Sequence, residues 1–333
     1  MPRASQSLAV LATRGEQAES VHRVSVAVTD RAGRLVATSG DPELVTFWRS
    51  AAKPFQALPL LEDGTATRFG LGTEELALAC ASHSSEPVHL EVTDRFLAKI
   101  GCTEADLACG PHTPLGANVI ERIARDGVKP TPRWSNCSGK HSGMLALAKH
   151  HGWTTKGYEA KEHPVQQRIH RDVVEWTGSE PTLAVDGCTA VCFALPLRGM
   201  ARAYAALGDG AAPGLAILRD AMLARPDLVA GTGRSCTDVM QAAPGKVIVK
   251  LGADGVYCGA LVGSGLGFTL KVEDGDMKAL PVALLAVLDQ LAGHLGWRER
   301  WSAAVPQHGA FDIRNTRKVV TGRVYAEGEL TFV

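Results

Sequence analysis

Strand-forming runs stand at both ends of this chain and helix-forming runs fill the stretch between them, an order that restricts the possible folds more than any other feature. Near the N-terminus, Val21–Thr29 and Arg34–Thr38 are rich in β-branched residues. The turn signal "DRAG" joins them, which predicts a hairpin. Helices are expected over Ser50–Leu61, Glu74–Cys80, Pro87–Ile100, Ala117–Asp126, His163–Thr177, Gly214–Arg225 and Ala279–Gly296. A further one is expected from about Gly139 to His151, closed by Gly152. Strand character returns late, in "KVIVKLGADGVYCGALVG", where two runs meet at Gly252–Gly255, then in "GFTLKVED" and "KVVTGRVYAEGEL". This order predicts an α+β chain with an antiparallel sheet built from both termini. The expected division is a sheet lobe from about 1–48 and 245–333 and a mainly helical lobe over about 49–244, together one unit over residues 1–333. No repeat or low-complexity linker cuts it.

Composition excludes several partner classes. Lys plus Arg and Asp plus Glu are equal at 35 each, without a basic or acidic block, so nothing points to nucleic acid or an anionic membrane surface. The longest apolar stretches, such as Leu280–Val287, are too short to span a bilayer. The opening "MPRASQSLAVLATRGEQ" lacks the apolar core of a secretory signal, so the eight scattered cysteines are expected as reduced thiols or metal ligands and the location as cytoplasmic.

The stretch "FWRSAAKPFQ" places Ser50 three residues before Lys53, with Pro54 next. On a helix these two lie one turn apart on the same face, and Pro54 confines them to its first turn or just ahead of it. The positive end of the helix dipole disfavours an ammonium there. Lysine acts as a base only when neutral, so its pKa of ~10.4 must fall, which burial and the dipole promote. A lone Ser-x-x-Lys is common and commonly a surface pair. Two later elements give it weight: Ser82-His83-Ser84 and Lys250-Leu251-Gly252, the last at the end of a strand run. Serine acyl-transfer enzymes of the β-lactamase and penicillin-binding class show Ser-x-x-Lys, Ser-Asp-Asn and Lys-Thr-Gly in that order. Here the first spacing is short and the Asp and Asn are missing, so the layout fits while the detail argues against penicillin recognition. Two Ser–Lys pairs around one pocket would let one serine attack a carbonyl while the other relays protons.

"NCSGKHSGM" and "VDGCTAVCF" are the other unusual stretches. Spacing alone leaves two readings. Cys137 and Cys188 are either small buried cysteines beside glycine-rich turns, or thiolates for a soft or borderline cation, with Lys140, His141 and Asp186 completing or orienting the shell.

Taken together, "RSAAKPFQALP", "CASHSSEPVH", "CGPHTP", "NCSGKHSGML", "VDGC" and "KLGADGVYCGAL" resemble the asparaginase II family, the Rhizobium-type (class 3) L-asparaginases, from roughly Val21 to the C-terminus. The resemblance implies a serine β-lactamase/penicillin-binding-protein-like fold, a homodimer, and hydrolysis of L-asparagine to L-aspartate and ammonia. It places catalytic Ser–Lys tandems on Ser50 with Lys53 and Ser82 with Lys250, and a zinc site on Cys137, Lys140 and Cys188 with Asp186 close by. It assigns Arg49 and His83 to substrate binding, and Asn136 and Gly252 to the same pocket. Four positions depart from the family pattern: Ser85 and Thr189 stand where it has glycine, Val191 where it has proline, and Cys236 where it has aspartate. The rival readings are a penicillin-recognising serine acyltransferase and a zinc-stabilised amino-acid-binding relative without turnover.

Overall fold

The structure is a computed structural model that describes residues 7–333. Expectations about the first six residues, including part of the stretch read for an export signal, lie outside the described residues.

Among the described residues, twelve strands run in chain order: β1 (Ala9–Arg14), β2 (Gln17–Thr29), β3 (Leu35–Ser39), β4 (Val45–Phe47), β5 (Thr182–Val185), β6 (Val191–Pro196), β7 (Val247–Leu251), β8 (Val256–Leu261), β9 (Leu266–Val272), β10 (Phe311–Arg314), β11 (Val320–Glu327) and β12 (Thr331–Phe332). The main sheet has the order β10-β11-β1-β2-β9-β8-β7, with β3 pairing β2 and β12; β4-β6-β5 form a second, small sheet. The chain is therefore α+β, and its antiparallel main sheet draws its strands from both ends of the sequence.

The β2–β3 hairpin forms for the expected reason. Asp30 Oδ1 accepts the backbone N–H groups of Ala32 and Arg34, both at 2.9 Å, and Gly33 supplies the left-handed residue at φ +78°. From Val24 to Thr29, residues of both parities in β2 are buried, so the sheet is covered on both faces. Ala27 packs with Leu197 and Ala201 of the helix Leu197–Asp209. Val24, Val26 and Val28 point the other way and join the core that holds Leu284 and Leu288 of the helix Ala279–His294. Gly267 allows the first helix to lie on the sheet, because a Cβ there would stand 2.2 Å from Ala201 O and from Ala205 N.

The helical stretch expected over 50–61 is broken into a 3-10 turn Arg49–Ala52, a helix Lys53–Ala57 and another at Pro59–Glu62. Pro54 and Pro59 explain the breaks, since neither can donate a backbone hydrogen bond. The helices Leu197–Asp209 and Ser235–Ala242 had no sequence expectation; the first is buried along most of its length. Among the described residues, no helix is long and apolar enough to cross a membrane.

Candidate active site

The site begins with Trp48. Its side chain is fully buried, its ring stacks on Phe55 at 5.0 Å and its Nε1 donates to Cys258 Sγ at 3.3 Å. Its backbone N–H donates to Phe193 O at 2.8 Å. So anchored, the chain turns through Arg49 at φ +52°, a conformation rare outside glycine. Ion pairs from Arg49 to Asp186 (Nε–Oδ1 3.0 Å) and to Asp254 hold that residue in place. The turn presents Ser50, half-buried, on the wall of a cleft of about 570 Å³.

Lys53 and Lys250 are each only 1% exposed. Lys53 Nζ donates to Ala81 O at 2.5 Å, Ser82 Oγ at 3.0 Å and Asn136 O at 3.3 Å. These three acceptors match the three N–H groups of an ammonium. Lys250 arrives from the end of β7 and bonds Ser82 Oγ and Leu251 O, both at 2.9 Å. Burial, helped by the charge of Lys53, lowers its pKa to about 7. Both amines thus converge on the Ser82 hydroxyl, while the Ser50 hydroxyl makes no protein hydrogen bond among the described residues. The i,i+3 spacing does put Ser50 and Lys53 side by side, but a buried ammonium needs three acceptors and Ser50 offers one.

Asn136 and Gly252 line the cleft. A Cβ at Gly252 would stand 3.0 Å from Trp48 O, so the glycine lets the loop after β7 close on the turn that carries Ser50. His83 is not on the cleft wall. It is fully buried, bonded from Nε2 to Ser138 Oγ at 2.8 Å, and its Nδ1 accepts the Ser85 N–H at 3.2 Å. Those bonds hold the loop behind Ser82. Arg234, His112 and His308 also line the cleft; none was expected as a site residue, although His112 lies in the stretch "CGPHTP", which carries the family resemblance, and Arg234 lies two residues before Cys236, in a run compared with the family pattern.

The sulfur cluster adjoins one wall. Cys137 immediately precedes the helix Ser138–His151, whose first turn carries Lys140. Lys140 Nζ donates to Cys188 Sγ at 2.9 Å, and Cys188 Sγ lies 3.8 Å from Asp186 Oδ2. The hydrogen bond from Cys188 holds the Cys137 thiol well below its ordinary value. Burial alone would lower the Lys140 amine, but the charges of Cys188 and Cys137 hold it above its usual range. His141 Nδ1 meets Tyr158 Oη at 2.6 Å, while its Nε2, beside Cys188, is buried with no hydrogen bond of normal geometry. Two thiols, an amine and an orphaned imidazole nitrogen are donors suited to a borderline cation such as zinc. Among the described residues, no group of three or more His, Cys, Asp and Glu is gathered for a metal. The fit therefore depends on the Lys140 amine losing its proton.

A family model described as L-asparaginase II matches residues 10–326. No curated protein matches the chain. Among solved structures, Mglu in its native form is 15% identical, with 75% of this chain and 59% of that one covered and a TM-score of 0.40. A β-lactamase from Mycobacterium bovis is 14% identical, with 74% and 86% covered and a TM-score of 0.33. The octameric penicillin-binding protein homologue from Pyrococcus abyssi is 13% identical, with 82% and 73% covered and a TM-score of 0.32. The chain spans about three-fifths of the length of the Mglu structures it matches.

Proposed function

The chain belongs to the L-asparaginase II family, and from that premise we propose that it hydrolyses L-asparagine to L-aspartate and ammonia, with Ser50 as nucleophile. Family membership makes it an amidohydrolase acting on a linear amide. The observation that carries the mechanistic reading is the convergence of two buried lysines on Ser82, at 3.0 and 2.9 Å, beside a Ser50 hydroxyl left open to the cleft.

A hydroxyl clasped by two amines is poorly placed to attack and well placed to relay. In this reading Ser50 Oγ bonds to the amide carbon while its proton passes to Ser82 Oγ, whose own proton passes to the neutral amine of Lys250. When the C–N bond breaks, the proton returns by the same route to the departing nitrogen, releasing ammonia. Water then cleaves the Ser50 ester to give aspartate and the free serine. Lys53, its three N–H groups engaged, holds Ser82 and adds positive charge. The backbone N–H groups of Ser50 and Ala253, both on the cleft wall and without a protein acceptor among the described residues, suit the carbonyl oxygen as it becomes an anion.

Cys137, Lys140 and Cys188 would hold zinc, with Asp186 tying the cluster to Arg49; bound there, zinc would supply Lewis-acid polarisation or substrate positioning. Metal analysis of the purified chain tests this: zinc should co-purify stoichiometrically and be lost from C188A. The family resemblance also suggests a homodimer, which sedimentation equilibrium tests. Cytoplasmic residence is supported by eight unpaired cysteines.

The deciding experiment is ammonia release from asparagine and glutamine by the wild type, S50A and S82A. Asparagine turnover should fall at least about a thousandfold in S50A, the scale of losing a serine nucleophile. Near-normal turnover by S50A would reject the assignment. The preference between the two amides rests on one methylene, worth only ~1–3 kcal/mol.

A further inference from the structure

We infer that Arg234 receives the substrate's α-carboxylate, so that the cleft selects linear amides carrying a free carboxylate; this rests on the amidohydrolase reading above. The described cleft wall carries two guanidiniums, Arg49 and Arg234, and one carboxylate, Asp186. Arg49 uses Asp186, at 3.0 Å, and also pairs with Asp254. Arg234 makes no ion pair among the described residues. Its one protein partner of note is neutral: Nη1 donates to the Ser84 hydroxyl at 3.1 Å. The wall therefore carries surplus positive charge, and it lies at Arg234.

The backbone brings that charge to the reacting serines. Gly231 adopts φ +129°, and a Cβ there would stand 2.7 Å from Ser84 Oγ, so this turn is drawn tightly against the loop that follows Ser82. Ser84 is two residues beyond Ser82, roughly 7 Å along extended backbone. In asparagine the amide and carboxylate carbons are about 4 Å apart at ordinary bond lengths. An amide seated at Ser50 and Ser82 thus leaves its carboxylate within reach of a guanidinium fixed by Ser84. A planar guanidinium takes a carboxylate through two parallel hydrogen bonds, and Ser84 occupies only part of its donor set.

The experiment compares wild type, R234K and R234M on L-asparagine and on 3-aminopropanamide, which keeps the amide and the amine but lacks the carboxylate. Calorimetric binding of L-aspartate is measured alongside. A charged hydrogen-bond pair of this kind is worth about 10- to 100-fold. The kcat/KM ratio of asparagine to 3-aminopropanamide should fall by that factor in R234M, through KM, and recover in part in R234K. The aspartate Kd should weaken by the same factor. An unchanged ratio, whether both substrates suffer equally or neither does, would overturn the inference. Should wild type release no ammonia from asparagine, the hydrolase reading falls. Aspartate binding that is weakened in R234M would then still uphold the carboxylate site, and aspartate binding that is equal in the two proteins, or absent from both, would overturn it.

Discussion

At the residue scale, two departures from the family pattern fall where the backbone favours glycine. Ser85 sits at φ +60° and Thr189 at φ +74°. Ser85 is fully buried and its Oγ donates to Trp134 O at 2.6 Å, which offsets its strain. Thr189 is exposed and β-branched, and its Oγ1 donates to the carbonyls of Ala108 and Cys188. T189G should stabilise the chain by about 1 kcal/mol in urea denaturation, and T189V, which keeps the strain and loses the bonds, should destabilise it by a similar amount. Lys250 gives a second prediction. With its pKa lowered to about 7, the amine is protonated below that pH and neutral above it. A base must be neutral, so kcat/KM for asparagine should rise with pH through about 7 and level off above. K250R, whose guanidinium stays charged across the range, should abolish turnover along with that rise. A flat profile in wild type would remove Lys250 from the role of base.

At the element scale, the site depends on how closely its helices pack. Gly139 lies in the first turn of the helix Ser138–His151, and a Cβ there would stand 2.2 Å from Leu78 O in the helix Thr73–Ala79. These two helices carry the segments that end in Ser82 and begin after Asn136, whose carbonyl Lys53 uses. G139A should therefore cost about 1–3 kcal/mol of stability in a thermal melt and lower kcat together with it, by spreading the acceptors around Lys53. The sequence marked this helix by its closing Gly152, found at φ +69°. It had no marker for the contact at Gly139, because a glycine inside a helix reads only as a weak helix former. The breaks at Pro54 and Pro59 have the opposite status: the proline chemistry was visible, and its consequence was a segmented helix in place of one long run.

At the scale of the whole molecule, the ends of the chain support each other. β1 pairs with β11 in the register Ala9↔Glu327 to Ala12↔Val324, and β12 pairs with β3. Deleting residues 320–333 would expose one edge of β1 and of β3 and remove Val324 and Leu330, both buried, from the core. The truncated chain should lose its cooperative calorimetric transition and aggregate through the open strand edges. A sharp transition within a few degrees of the full chain would show that the C-terminal strands only decorate the sheet. The same topology sets the catalytic geometry, since Lys250 reaches Ser82 across 168 residues of sequence from a strand at the far end of the main sheet from β10.

Local chemistry in the sequence was enough to determine the hairpin at 30–33, the turn at Gly252–Gly255 and the α+β order, whereas the grouping of the serines, lysines and cysteines came from the resemblance to a family. The first three rest on residue type and short-range spacing, which folding does not alter. Only the tertiary structure decided that Lys53 bonds Ser82 rather than Ser50, that His83 lies behind the cleft, that Lys250 is poised near neutrality, and that Arg234 stands on the wall with no carboxylate partner among the described residues. Those outcomes depend on burial and on acceptors contributed by distant segments, and neither quantity is carried by any local stretch of sequence.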